Sequence, residues 1–199
     1  MNPNDILIRS LEVNYLHFKF VGVAGIRDIK LFDINILLEK ITAIGNEKNV
    51  TIQVLDSELI ATWEHLFFSA YHAAKAFLNS FNISKSLAIE SLIYASGQRQ
   101  ITLAVNILGL KPKTKNCALL LIGTSPEDIK SVAEAVYGEL GGVFDMNVLD
   151  IDTSKFYKIK KIFGISDVEL DALTSKNTWK ERKTALLKLI LEQLAFLHF

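Results

Sequence analysis

Residues 60–81 carry apolar side chains at Ile60, Trp63, Phe67, Tyr71, Ala74, Phe77 and Phe81, spaced as one wide stripe along about six helical turns. A helix so heavily loaded on one face has to be covered by other layers. The rest of the chain supplies them. The segment Leu16 to Val23, rich in aromatic and β-branched residues, reads as a strand, as do the short Val50 to Leu55 and the apolar, buried Cys117 to Ile122. A fourth strand is expected at Leu87 to Tyr94, a short apolar run, and a fifth near Val148 to Ile151. Helices are expected over Leu31 to Ile44, Ile101 to Leu108, 126–140, Phe156 to Phe163, Asp167 to Leu173, and from Thr178 onward. Ser125 followed by Pro126 and two acids is a helix start, and Gly141-Gly142 is its stop. Alternating strands and helices predict an α/β (α+β) fold: a single domain over 1–199 with a mixed sheet packed against helices, and a helical C-terminal region from 153 to 199 packed on it.

Half of the 199 residues are hydrophobic and only three are proline, which fits a globular chain and not a disordered one. A single cysteine, Cys117, leaves no disulfide framework, and its apolar strand makes it a core thiol. The first eleven residues mix Asn, Asp and Arg among apolar ones, unlike a secretory signal, so a soluble, cytoplasmic protein is expected.

The net charge is zero, but its distribution is uneven. Residues 65–117 carry Lys75, Lys85, Arg99, Lys111, Lys113 and Lys115 against the single acid Glu90, while 118–152 carry Lys130 against seven acids. Such blocks can make one positive face large enough for a short phosphate chain, or they can be interleaved by folding. Chemistry has little to stand on. There is no phosphate-binding glycine loop and no nucleophile elbow, and His65 and His72 share a helical face without a third ligand at matching spacing. No catalytic, metal or cofactor site is expected.

Tyr94-Ala-Ser-Gly-Gln-Arg-Gln-Ile101 is the most specific polar segment. In one reading Gly97 turns the chain sharply, backbone N–H groups point outward, Arg99 and Gln100 meet phosphate or base edges, and Tyr94 stacks a base. In the other it is a capped turn with Arg99 paired to Glu90 and Tyr94 in the core.

The run from His65 to Phe77, Asn82 to Leu87, Glu90 to Tyr94 and Ala95 to Ile101 resembles the small accessory subunit of the KEOPS/EKC complex, the family of the PRPK-binding protein (TPRKB) and its archaeal relatives. The likeness continues through Leu108-Gly-Leu110, Phe163-Gly-Ile165 and the leucine-rich last helix; Lys75 stands where arginine is expected and Ser91 where a large apolar residue is. The resemblance implies a non-enzymatic subunit that binds the small atypical protein kinase/ATPase of the complex and recruits tRNA by its single-stranded 3′ CCA end, beside the subunit that installs threonylcarbamoyladenosine. It places the RNA site at His72, Lys75, Lys85, Tyr94, Ser96, Gly97, Arg99 and Gln100. In the last helix, apolar positions spread over about 220° of the wheel, more than one docking face uses. Leu186, Leu187, Ile190, Leu191 and Leu194 are therefore either sandwiched in the core or, as the resemblance implies, part of a kinase-binding surface.

Overall fold

A computed structural model describes residues 6–11 and 17–197. The frame is a five-stranded sheet in the order β1-β2-β4-β3, formed by β1 (Leu7–Ser10), β2 (Phe20–Arg27), β4 (Cys117–Gly123) and β3 (Thr51–Asp56), with β5 (Val143–Phe144) pairing the far end of β2. Every pairing is antiparallel, so the sheet is antiparallel and not mixed.

β4 shows how the sequence builds two cores at once. Its residues are all buried. Ala118, Leu120 and Ile122 face a cluster with α2 (Trp63–Leu78), α3 (Leu87–Ser96) and α4 (Ile101–Leu108), whereas Cys117, Leu119 and Leu121 face α1 (Ile34–Glu47) and α5 (Pro126–Leu140). A strand with period two and both faces covered must read as an unbroken apolar run. Burial pushes the Cys117 thiol up to about 12, where it stays protonated and inert. A third cluster joins α6 (Thr153–Ile162), α7 (Asp167–Ala172) and α8 (Trp179–Ala195) around Phe156, Ile159, Phe163 and Leu170, with Ala61 from the segment before α2.

The helix boundaries follow local chemistry. Ser125 caps α5 by accepting the Asp128 N–H, Pro126 opens it, and Gly141 at φ +64° closes it. Thr178 with Glu181, and Ser166 with Glu169, form reciprocal capping boxes on α8 and α7.

Four expectations change. Leu87 to Tyr94 is helix α3, not strand: its run is uniformly apolar because α2 and α4 lie against it and β3 packs behind, so its periodicity is hidden. The expected strand near Val148 is a 3₁₀ turn, Met146–Leu149. Leu16 lies outside the described residues, and β2 runs through both glycines to Arg27 instead of stopping at them. They are there for close approach: a Cβ on Gly22 would meet Ile129 Cγ2 at 2.5 Å, and one on Gly25 would meet the Asp145 carbonyl oxygen at 2.4 Å. Finally, the long stripe breaks at Leu78, so Phe81 leaves the helix. Among the described residues no helix is long and apolar enough to cross a membrane.

Candidate functional site

α3 is the element around which the polar residues gather. Ser86 caps its start, Leu87 and residues 90–96 are buried, and Gly97 ends it in the left-handed region at φ +64° with its N–H on the Tyr94 carbonyl, 3.0 Å. A Cβ at Gly97 would stand 3.1 Å from the Phe163 ring, so both the backbone angle and the space demand glycine. Ser96 is buried; its hydroxyl donates to Ile93 O at 2.8 Å and accepts the Gln98 N–H at 3.2 Å. The outward-pointing amide pair expected at this turn is therefore absent, because the N–H groups of residues 97 and 98 are bonded within it. Ser96 and Gly97 shape the turn, with Ser96 buried and Gly97 half-buried.

The same turn throws Arg99 and Gln100 into solvent. Gln100 takes an extended N-cap conformation ahead of α4, with no side-chain cap bond. The alternative pairing of Arg99 with Glu90 does not form. Glu90 is fully buried, and its Oε2 accepts the N–H groups of Ile83 (3.0 Å) and Ser84 (2.7 Å). Arg99 makes no ion pair among the described residues.

Arg99 lines a cleft of about 580 Å³ together with His72 and Lys75 of α2 and Tyr94 of α3. Four of the eight sequence-predicted residues thus meet around one space. Ala76, Asn79, Phe81 and Ala195 also line it. Lys75 is exposed, with its ammonium 5.4 Å from the centre of the Tyr71 ring. Tyr94 differs from expectation: its side chain is 1% exposed and stacks on His72, 5.5 Å between centroids and 19° between planes. It serves as the floor under His72, and cannot present a face to a base. The ring that stands out is Phe81, 66% exposed. Sequence reasoning counted Phe81 on the buried stripe and passed over Asn79; the Asn79-Ser80 pair, a helix stop, was the signal that both lie past the last turn. Lys85 lies outside the cleft. It is exposed at the start of α3, while Arg99 follows that helix's end, and ten residues of helix are about 15 Å long.

His65 holds the frame. It is wholly buried, accepts the Ala61 N–H at Nδ1 (3.2 Å), and its Nε2 lies 2.8 Å from Ala95 O, which fixes the neutral tautomer with the proton on Nε2. Burial pulls its pKa down to about 4 against the raising effect of the Ala95 carbonyl. It is a structural tie between α2 and the end of α3.

The sequence of this chain from 32 to 197 matches the family model described as "Kinase binding protein CGI-121". The chain belongs to that family. Over 113 residues it is 34% identical to the "Regulatory protein Cgi121" of Methanocaldococcus jannaschii, covering 57% of this chain and 70% of the archaeal one. The structure divides the apolar residues singled out on the last helix. Leu186, Ile190 and Leu194 are fully buried against Phe156, Phe163 and Leu170, so these three belong to the core and not to an outer surface. Leu187 and Leu191 are half-buried at the edge of the same cluster.

Proposed function

We propose that this CGI-121 protein is a non-catalytic subunit of the KEOPS/EKC complex that makes threonylcarbamoyladenosine in tRNA, working in the cytoplasm, where it binds the small atypical kinase/ATPase of the complex and recruits tRNA by its 3′ CCA end. The observation that carries the RNA half is the cleft where Lys75 and Arg99 stand together with no carboxylate on its lining among the described residues. Two cations on one cleft can meet phosphates of a single strand, the guanidinium as a planar fork and the ammonium as a point charge. His72, half-buried on Tyr94, lies on the same cleft. Gln100, beside Arg99, reaches the same strand from outside the cleft. Tethering a substrate needs no acid, base or nucleophile, in keeping with the inert Cys117 and the structural His65.

Binding of one tRNA with and without its 3′ CCA is the test: truncation is expected to weaken binding at least tenfold, and equal affinities would sink the RNA role. A kinase-binding regulator with no RNA contact is the other reading, favoured by the family description; it predicts binding that does not steepen as salt falls. For the kinase half, Leu187→Arg should abolish association with the kinase at unchanged melting temperature. Leu194→Arg should unfold the protein instead, since it buries an unpaired charge.

A further inference from the structure

We infer that the groove at the ends of β3 and β4 is a binding site for a small zwitterion, a free α-amino acid, whose carboxylate sits on Lys155 and Ser57 and whose ammonium faces Asp150. This inference concerns a different cavity from the Lys75–Arg99 cleft and does not depend on the RNA role proposed above.

The groove encloses about 490 Å³ between the strand ends, the turn at 146–149 and the start of α6. Lys155, in the first turn of α6, lines it and is only 8% exposed. Its ammonium donates one hydrogen bond, to the Val148 carbonyl at 2.8 Å, and no carboxylate stands within ion-pair distance of it among the described residues. An ammonium has three hydrogens, so two donors are left over. A buried charge without a partner is costly, and here desolvation outweighs the pull of Asp152, Asp150, Asp56 and Glu58 and brings the Lys155 pKa down to about 8. A ligand carboxylate would supply the missing partner. Ser57, 4% exposed, lines the same groove. Its backbone is engaged, the N–H with Asn116 O and the carbonyl with the Ile60 N–H, each at 3.2 Å, while its hydroxyl has no partner among the described residues. Asn116 turns Oδ1 to the Asp28 N–H at 3.2 Å, which leaves its Nδ2 hydrogens unused.

The acids of the groove are not equally available. Asp56 accepts the Thr114 hydroxyl and the Glu58 N–H, Asp145 is held by Arg27 and Asn147, and Glu58 pairs with Lys158. Asp150 is exposed, and its carboxylate makes no hydrogen bond or ion pair among the described residues, yet it is near enough to Lys155 to act on its proton. An unused carboxylate thus stands within electrostatic reach of an under-bonded, buried ammonium. In an α-amino acid the two charged groups sit on one carbon, so a single small molecule can meet both. A net anion would be repelled by the acids around Lys155, and a net cation by Lys155 itself. The charges of Lys113 and Lys115, on exposed side chains, are screened by water and salt.

The experiment records amide NMR spectra of the full chain with each of the common free L-amino acids in turn, at millimolar concentration. At least one should bind saturably and move the resonances of residues 57, 148 and 155 together. Asp150→Asn, a change on an exposed side chain, should weaken that binding about tenfold at unchanged melting temperature, and Lys155→Met should weaken it by about tenfold or more, as loss of a hydrogen bond to a charged group predicts. The N-acetyl form of the bound amino acid lacks the ammonium and its methyl ester lacks the carboxylate; each should bind about tenfold more weakly. Lys75→Ala with Arg99→Ala should leave the affinity unchanged. The inference fails if no amino acid saturates the groove, or if Asp150→Asn binds as the wild type does. It fails equally if the N-acetyl form or inorganic phosphate binds as tightly, which would make the groove a site for anions only.

Discussion

The molecule has a second cavity nearly as large as the first, and the two differ in charge balance. The groove at the ends of β3 and β4, about 490 Å³, is lined by five cations, Arg27, Lys113, Lys115, Lys155 and Lys158, and by five acids, Asp56, Glu58, Asp145, Asp150 and Asp152. Much of that charge is already spoken for. Arg27 pairs with Asp145 at 3.1 Å, Lys158 with Glu58, and Asp56 accepts the Thr114 hydroxyl at 2.6 Å. Lys155 donates to Val148 O at 2.8 Å, and burial pulls its pKa down to about 8. The Lys75–Arg99 cleft has fewer cations and, among the described residues, no acid on its lining. The lesson is that what attracts an anion is uncompensated charge, not the number of lysines.

Acid gives the sharpest contrast, because the frame of the cleft leans on a neutral imidazole while the groove is held by surface ion pairs. The folded pKa of His65 lies below its ordinary 6.5, so the unfolded chain takes up the proton first as pH falls. The stabilisation is complete above pH 6.5 and is lost between 6.5 and 4, amounting to about 3 kcal/mol at the lower limit from a shift of this size. Urea midpoints measured across that window should fall steeply for the wild type and stay flatter in His65→Asn; parallel slopes would assign the acid sensitivity elsewhere. Next in size, Lys75→Ala with Arg99→Ala should weaken tRNA binding about thirtyfold, at roughly 1 kcal/mol for each phosphate contact. Lys113→Ala with Lys115→Ala should change it less than twofold, and equal losses would erase the distinction between the cavities. Arg99→Lys alone should cost about fivefold, because the charge stays and the fork goes. The smallest effect is a gain: Glu58→Gln frees Lys158, and should raise tRNA affinity about twofold at low salt with no change at high salt.

How much of this could be read from the chain depended on what surrounds each segment. α5 announced itself through Ser125, Pro126 and Gly141-Gly142, since caps act locally. β4 was legible because a strand covered on both faces leaves a distinctive apolar run. α3 leaves the same kind of run for a different reason, being wrapped by α2, α4 and β3, and composition alone cannot separate the two. At the site, the turn at 96–100 and the basic pair Lys75 and Arg99 were visible as residues. Which ring faces outward was not: Tyr94 and Phe81 exchange roles because α2 ends at Leu78, a boundary set by the Asn79-Ser80 closure and not by the apolar spacing. The last helix was readable as over-apolar, but only packing against Phe156, Phe163 and Leu170 shows that three of its five singled-out side chains are interior.

The Phe163 ring lies where a Cβ on Gly97 would stand, and the Phe163 carbonyl accepts the Gln193 Nε2 amide of α8 at 3.0 Å. The bend that presents Arg99 is thus braced by the C-terminal helices, so those helices are no detachable accessory. A chain without those helices would lose the backing of its basic cleft as well as Leu187 and Leu191.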